Sequence, residues 1–174
     1  MIAKADPNFA ALEPAIKVTI NVGSFHDLGV THTGSRLNVI ESTGGVIETI
    51  PGFEPAFKAT YKFGGDWLAF DPSGEYARLN LQAVAHTDEG AVLSTNLSGI
   101  ITMADDVKKI FMNAPDKATV PYGRSSGAWT FITSDPKLKV LEDSQFVGVG
   151  RLKVTEDGNL VVENNVSKVV KLDE

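Results

Sequence analysis

The sequence predicts an all-β protein, a single antiparallel sandwich or barrel of about ten strands with one short helix. Three observations predict it. Apolar residues recur with a period of two along most of the chain, turn residues punctuate the runs at short spacing, and one segment alone has helical spacing. A length of 174 residues fits one domain and is long enough to bury a core without cross-links.

Residues 1–14 read as an N-terminal extension. With one lysine, two acids and no continuous apolar core, they do not form a secretory signal. The first strand follows at 16–22, where Ile16, Val18, Ile20 and Val22 share one face and Lys17, Thr19 and Asn21 the other. Further strands are expected at 36–41, 45–50, 55–63, 66–70, 75–86, 91–101, 128–134, 145–155 and 159–170. Turns are expected at Gly44-Gly45, Pro51-Gly52, Gly64-Gly65, Asp71-Pro72-Ser73-Gly74, Glu89-Gly90 and Asp157-Gly158-Asn159. Ala104-Asp105-Asp106 begins the helix, Val107, Ile110 and Phe111 give it an apolar stripe, and Asn113 and Pro115 stop it. It lies in an inserted stretch, 102–124, and can close one end of a barrel; a weaker helical turn falls at 136–142.

Composition removes several functions. The chain has no cysteine, which excludes disulfides, thiolate metal sites and a cysteine nucleophile. Three scattered histidines leave little for a metal centre, and the six-residue gap between His26 and His32 in loop 23–34 fits no helical metal motif. Twenty-two acids against 16 bases, a net charge of −6, argue against a nucleic-acid partner. No stretch reaches the ~20 apolar residues of a membrane span, so the expected location is cytoplasmic. Gly148-Val149-Gly150 lies in a strand without a following helix, so it is no nucleotide motif and more simply marks bends in a closing barrel. Ser125-Ser126-Gly127 lacks the strand-to-helix elbow of a hydrolase serine.

Strand 75–86 admits two readings. Tyr76, Arg78, Asn80, Gln82, Val84 and His86 share one face, and Ala77, Leu79, Leu81, Ala83 and Ala85 the other. Either the first face meets solvent, as in an ordinary antiparallel strand, or it lines a polar lumen while the small residues pack against another surface. Aromatic residues gather at Phe53, Phe57, Tyr61, Phe63, Trp67 and Phe70. They are either core or the aromatic wall of a small-molecule pocket.

Gly34-Ser35-Arg36, Gly64-Gly65-Asp66-Trp67, Asp71-Pro72-Ser73-Gly74, His86-Thr87-Asp88-Glu89-Gly90-Ala91, Phe131-Ile132-Thr133 and Phe146-Val147-Gly148-Val149-Gly150 occur here in that order. On these pieces, over roughly residues 15–165, the chain resembles domain-of-unknown-function family three-two-three-seven, small β-barrel proteins of bacteria and fungi. It departs from the pattern in having one residue fewer before Asp66 and in Glu89, where a second aspartate is usual. The resemblance implies a calycin- or lipocalin-like barrel wrapped around a cavity, and no common activity.

Asp66 beside an indole in a cavity could act as a general acid or base; equally, it could cap the Gly64-Gly65 turn. Arg36 could bind an oxyanion or form a structural salt bridge with Asp66 or Asp88. His86 could exchange protons, or sit at the surface beside a turn. The reading that follows is a small-molecule-binding barrel, an enzyme without cofactor or metal that works by acid–base chemistry. The reaction would be an isomerisation, cyclisation or hydration/elimination of a partly aromatic or polyketide-like metabolite. Asp66, Arg36 and His86 are the catalytic candidates; Trp67, Tyr61, Tyr76, Arg78 and Trp129 are the substrate-binding ones. The alternative is a carrier barrel without catalysis. A third reading makes the barrel a subunit of a homo-oligomer, with 76–86 or the helix at the interface.

Overall fold

In the structure, a computed structural model describing residues 8–171, eight antiparallel strands close into a ring, each bonded to its chain neighbour and the last to the first. They are β1 (Ala10–Val30), β2 (Arg36–Thr49), β3 (Lys58–Phe70), β4 (Tyr76–Thr87), β5 (Val92–Thr102), β6 (Ser125–Thr133), β7 (Phe146–Val154) and β8 (Leu160–Lys171). One short helix, α1 (Asp105–Phe111), lies between β5 and β6, and a 3-10 helix (Pro136–Leu141) between β6 and β7. No helix among the described residues is long and apolar enough to cross a membrane.

The count falls from the expected ten to eight because two glycine pairs lie inside strands rather than at turns. Gly44 and Gly45 continue β2, opposite Asn21 and Ile20 of β1. Gly45 adopts a φ of +132°, and a Cβ there would overlap the Thr19 carbonyl. Gly64 and Gly65 continue β3, opposite Ser42 and Glu41. A Cβ on Gly64 would lie 2.6 Å from that of Ala83, so the glycine lets β3 and β4 approach closely. Two further expectations change. β1 begins at Ala10, with residues 10–14 paired to β8, and the supposed loop 23–34 is mostly strand, Phe25 to Val30 pairing with β2 past bulges.

β3 contains the bulge that decides what the lumen sees. Tyr61 pairs with Ala85 but Phe63 with Val84, so one extra residue is accommodated at Lys62. Before it, Ala59 and Tyr61 point inward; after it the parity reverses, and Gly64, Asp66 and Leu68 point inward. Phe63, two residues beyond Tyr61, falls on the opposite face and is 63% exposed.

On β4 the apolar residues Ala77, Leu79, Leu81, Ala83 and Ala85 are buried in the lumen, and the polar face is the outer one. Both barrel ends are plugged with aromatic rings. At one end, Phe146 meets Phe53 and Phe131 edge-on at 6.5 and 5.2 Å, above Leu138 and Leu141 of the 3-10 helix. At the other, α1 buries Val107 and Ile110 and sets Phe111 edge-on to Phe70 and Phe25 at 5.3 and 6.4 Å. The helix thus closes a barrel end as expected. It ends where Asn113 takes a φ of 51°, a left-handed conformation that asparagine tolerates.

Candidate active site in the barrel lumen

Between the two plugs lies a cavity of about 60 Å³. Its walls are mostly aliphatic: Leu68, Leu79, Leu81, Leu97, Ile101 and Val162. Four buried polar side chains interrupt them, Asp66, Ser42, Trp129 and Asn164.

Asp66 is held on β3 just past the bulge. One carboxylate oxygen accepts the backbone N–H of Asn80 on β4 at 2.8 Å, so the residue bridges strands and caps no turn. Burial among aliphatic side chains pushes its pKa up from 3.8 to about 6, against the smaller opposing effect of the Asn80 bond. Such a carboxyl is present in both protonation states near neutral pH.

The other three polar groups lack partners. Ser42 Oγ, Trp129 Nε1 and Asn164 Nδ2 are buried without a hydrogen bond, in residues only 6%, 1% and 4% exposed. Buried donors are nearly always satisfied, and each orphan costs about 1–3 kcal/mol. Ser42 lies on β2 opposite Gly64, hence diagonal to Asp66 on the inner surface. Trp129 and Asn164 lie on β6 and β8, to either side of β7. Around the β4–β5 side the lateral row runs Asp66, Leu81, Leu97, Trp129, so two leucines separate the poles.

Gly148 and Gly150 of β7 make room for the far pole. A Cβ on Gly148 would sit 2.7 Å from Trp129 Nε1, and one on Gly150 would overlap Asn164 Oδ1 and Ser125 Oγ. These glycines clear space for polar side chains, where the sequence suggested bends.

The cations beside the cavity are already paired. Arg124 donates to Asp106 of α1 at 2.7 Å. Arg151 bonds Glu163 at 2.6 Å under the Tyr122 ring. Burial pushes the Glu163 carboxyl up, but its bonds to Arg151 and Lys153 prevail and leave it below its ordinary value.

Of the eight residues expected in the site, Asp66 and Trp129 line the cavity. Tyr61 also points inward, but it packs beyond the cavity, its hydroxyl 3.2 Å from Thr95 Oγ1, and burial pushes its phenol pKa up. The other five lie outside. Trp67 follows Asp66 directly, and neighbours on a strand face opposite ways, so it is 42% exposed and covers Gly65. Tyr76, Arg78 and His86 share the outer face of β4, where Arg78 bonds Asp71 at 2.8 Å. Arg36 pairs with Asp27 at the surface, not with Asp66 or Asp88. His26 is bonded at 2.9 Å to Glu41, whose carboxyl that bond lowers. Among the described residues, no three histidine, aspartate or glutamate side chains gather as a metal site would need.

Ser42, Asn164 and Ser125 were not anticipated. Asn164 was readable: in Val162, Asn164, Val166 a polar residue holds a position whose neighbours on that face are apolar.

The family described as Protein of unknown function (DUF3237) matches residues 10–169. Solved structures share the fold. One, a conserved protein of unknown function from Rhodopseudomonas palustris, superposes with a TM-score of 0.76 at 20% identity, covering 93% of this chain and 99% of that one. A β-barrel-like protein from Acinetobacter baumannii gives 0.70 at 22% identity, covering 96% and 100%. A third, described as an enzyme from Penicillium herquei, gives 0.60 at 16% identity, covering 96% and 99%. No curated protein matches the sequence.

Proposed function

Because the chain belongs to the DUF3237 family, whose description carries no reaction, we propose its function from the lumen: an enzyme that needs no cofactor and moves a proton within a small, largely apolar molecule. The observation that carries this reading is the meeting of one buried carboxyl and three unpartnered buried polar groups on a single aliphatic cavity. A molecule in the cavity would satisfy groups that the fold leaves unsatisfied.

Asp66 is the catalytic residue in this reading. With its pKa near 6, it can take a proton from one atom of the substrate and return it to another, so the net reaction consumes no oxidant or reductant. Isomerisation, cyclisation and addition or loss of water across a double bond all fit that cycle. The aliphatic walls exclude bulk water and strengthen each polar contact made inside. The fold accommodates catalysis, since one structure sharing it is described as an enzyme.

Deuterium incorporation from D2O into the methyl group of acetophenone, followed by NMR, tests the proton transfer. The wild type is expected to accelerate exchange and Asp66→Asn to abolish the acceleration. Equal rates for both proteins would refute the role of Asp66. A ligand that binds in the lumen and is recovered unaltered would mark the barrel as a carrier.

A further inference from the structure

Asp66 on β3 and Ser42 on β2 line one side of the cavity, and Trp129 on β6 and Asn164 on β8 flank β7, each three strands from Asp66 around the ring. Asp66 is thus set apart from both, and on the β4–β5 side Leu81 and Leu97 lie between it and Trp129. An eight-stranded barrel is just wide enough for side chains or one small ligand, so the ligand is at most a single ring.

We infer that the lumen takes an uncharged ring compound carrying oxygen at both ends, one oxygen on Asp66 and Ser42 and the other on Trp129 Nε1 and Asn164 Nδ2. The inference rests on the lumen being the ligand site. Three features of the lumen choose this class. First, an indole N–H can only donate, so the oxygen at the far pole must accept: a carbonyl, ether or phenol oxygen. Second, Gly148 and Gly150 keep that pole free of side chains where any other residue would cover it. Third, among the described residues the cations lining the cavity, Arg124 and Arg151, are neutralised by Asp106 and Glu163. An anion would enter an aliphatic space already holding a carboxyl, without a counter-charge, which is strongly unfavourable.

Asn164 and Trp129 are binding residues of this second pole, and Asp66 belongs to the first. The two can be perturbed separately. Calorimetric titration with three para-substituted benzenes of similar size tests the class: 4-hydroxyacetophenone, neutral with two oxygens; 4-ethyltoluene, without oxygen; and 4-hydroxybenzoate, an anion.

The expected order is 4-hydroxyacetophenone tightest, the hydrocarbon weaker by about tenfold or more, and the benzoate weakest near neutral pH. Asn164→Ala is expected to weaken 4-hydroxyacetophenone by roughly three- to tenfold, the worth of one neutral hydrogen bond, and to leave 4-ethyltoluene unchanged. Trp129→Phe gives an independent variant with the same expectation for the donor it removes. If the hydrocarbon binds as tightly as the dioxygenated ring, or the benzoate binds best, the inference fails while lumen binding stands. If none of the three binds, the inference and the proposed function fall together.

Discussion

Asp66→Asn should stabilise the protein in neutral and alkaline solution and do little in acid. The native carboxyl titrates near 6, whereas in the unfolded chain it returns to its ordinary 3.8. Below about pH 4 both states hold the proton, and the site contributes no difference. As pH rises towards 6 the unfolded state gives up its proton first, and keeping the buried group neutral costs progressively more. Above about pH 6 the full cost of ionising it inside is present, about 3 kcal/mol by linkage. Asparagine carries no charge at any of these pH values, and its side-chain oxygen can still accept from Asn80, so the variant escapes the cost while the cross-strand bond survives. Urea unfolding of both proteins from about pH 4 to pH 8 gives the comparison. The variant's advantage should grow by about 2–3 kcal/mol across that range and level off above the native pKa. A difference independent of pH would refute the buried, raised carboxyl.

Gly150→Ala drives a methyl into Asn164 and Ser125 and should cost about 1–3 kcal/mol, the usual price of overpacking, while abolishing 4-hydroxyacetophenone binding; thermal unfolding and calorimetry read the two effects. Phe111→Ala removes the ring edge-on to both Phe25 and Phe70, each such contact worth about 0.5–1.5 kcal/mol beyond burial. It should lower the melting temperature and speed ligand exchange through that end in stopped-flow measurements. Arg78→Ala, on the outer face of β4, should leave binding of every lumen ligand unchanged; a loss would place that face in the site.

The closed barrel was legible because it rests on local alternation. Ala77 to Ala85 read inward or outward as a set, and α1 announced itself through Val107, Ile110 and Phe111 between two acids and Asn113. The wall of the lumen was less legible because it depends on parity, which one residue can reverse. Nothing local to Lys62 reveals a bulge, since the count of residues between pairing partners on β3 and β4 is a property of two strands. That hidden residue separates Phe63 from Tyr61 and turns Asp66 inward, so an aromatic cluster that reads as one wall becomes two surfaces. The glycine pairs misled for a related reason. Gly44-Gly45 and Gly64-Gly65 have the composition of turns, but their function is close approach between strands that pairing alone brings together.

The distribution of cost over the barrel favours a working lumen over a merely imperfect core. At the end closed by the 3-10 helix, Tyr61 and Thr95 satisfy each other, and the aromatic rings interlock. At the cavity, three orphan groups at about 1–3 kcal/mol each stand beside a carboxyl whose ionisation costs about as much again. Domains of ordinary stability have about 5–15 kcal/mol in total, so this concentration is a large fraction of what holds the protein folded. Apolar replacements of similar shape would remove the orphan groups: valine for Ser42, leucine for Asn164, phenylalanine for Trp129. A chain that instead keeps all three, and clears Gly148 and Gly150 to accommodate two of them, carries an instability that a bound molecule with matching oxygens would convert into affinity.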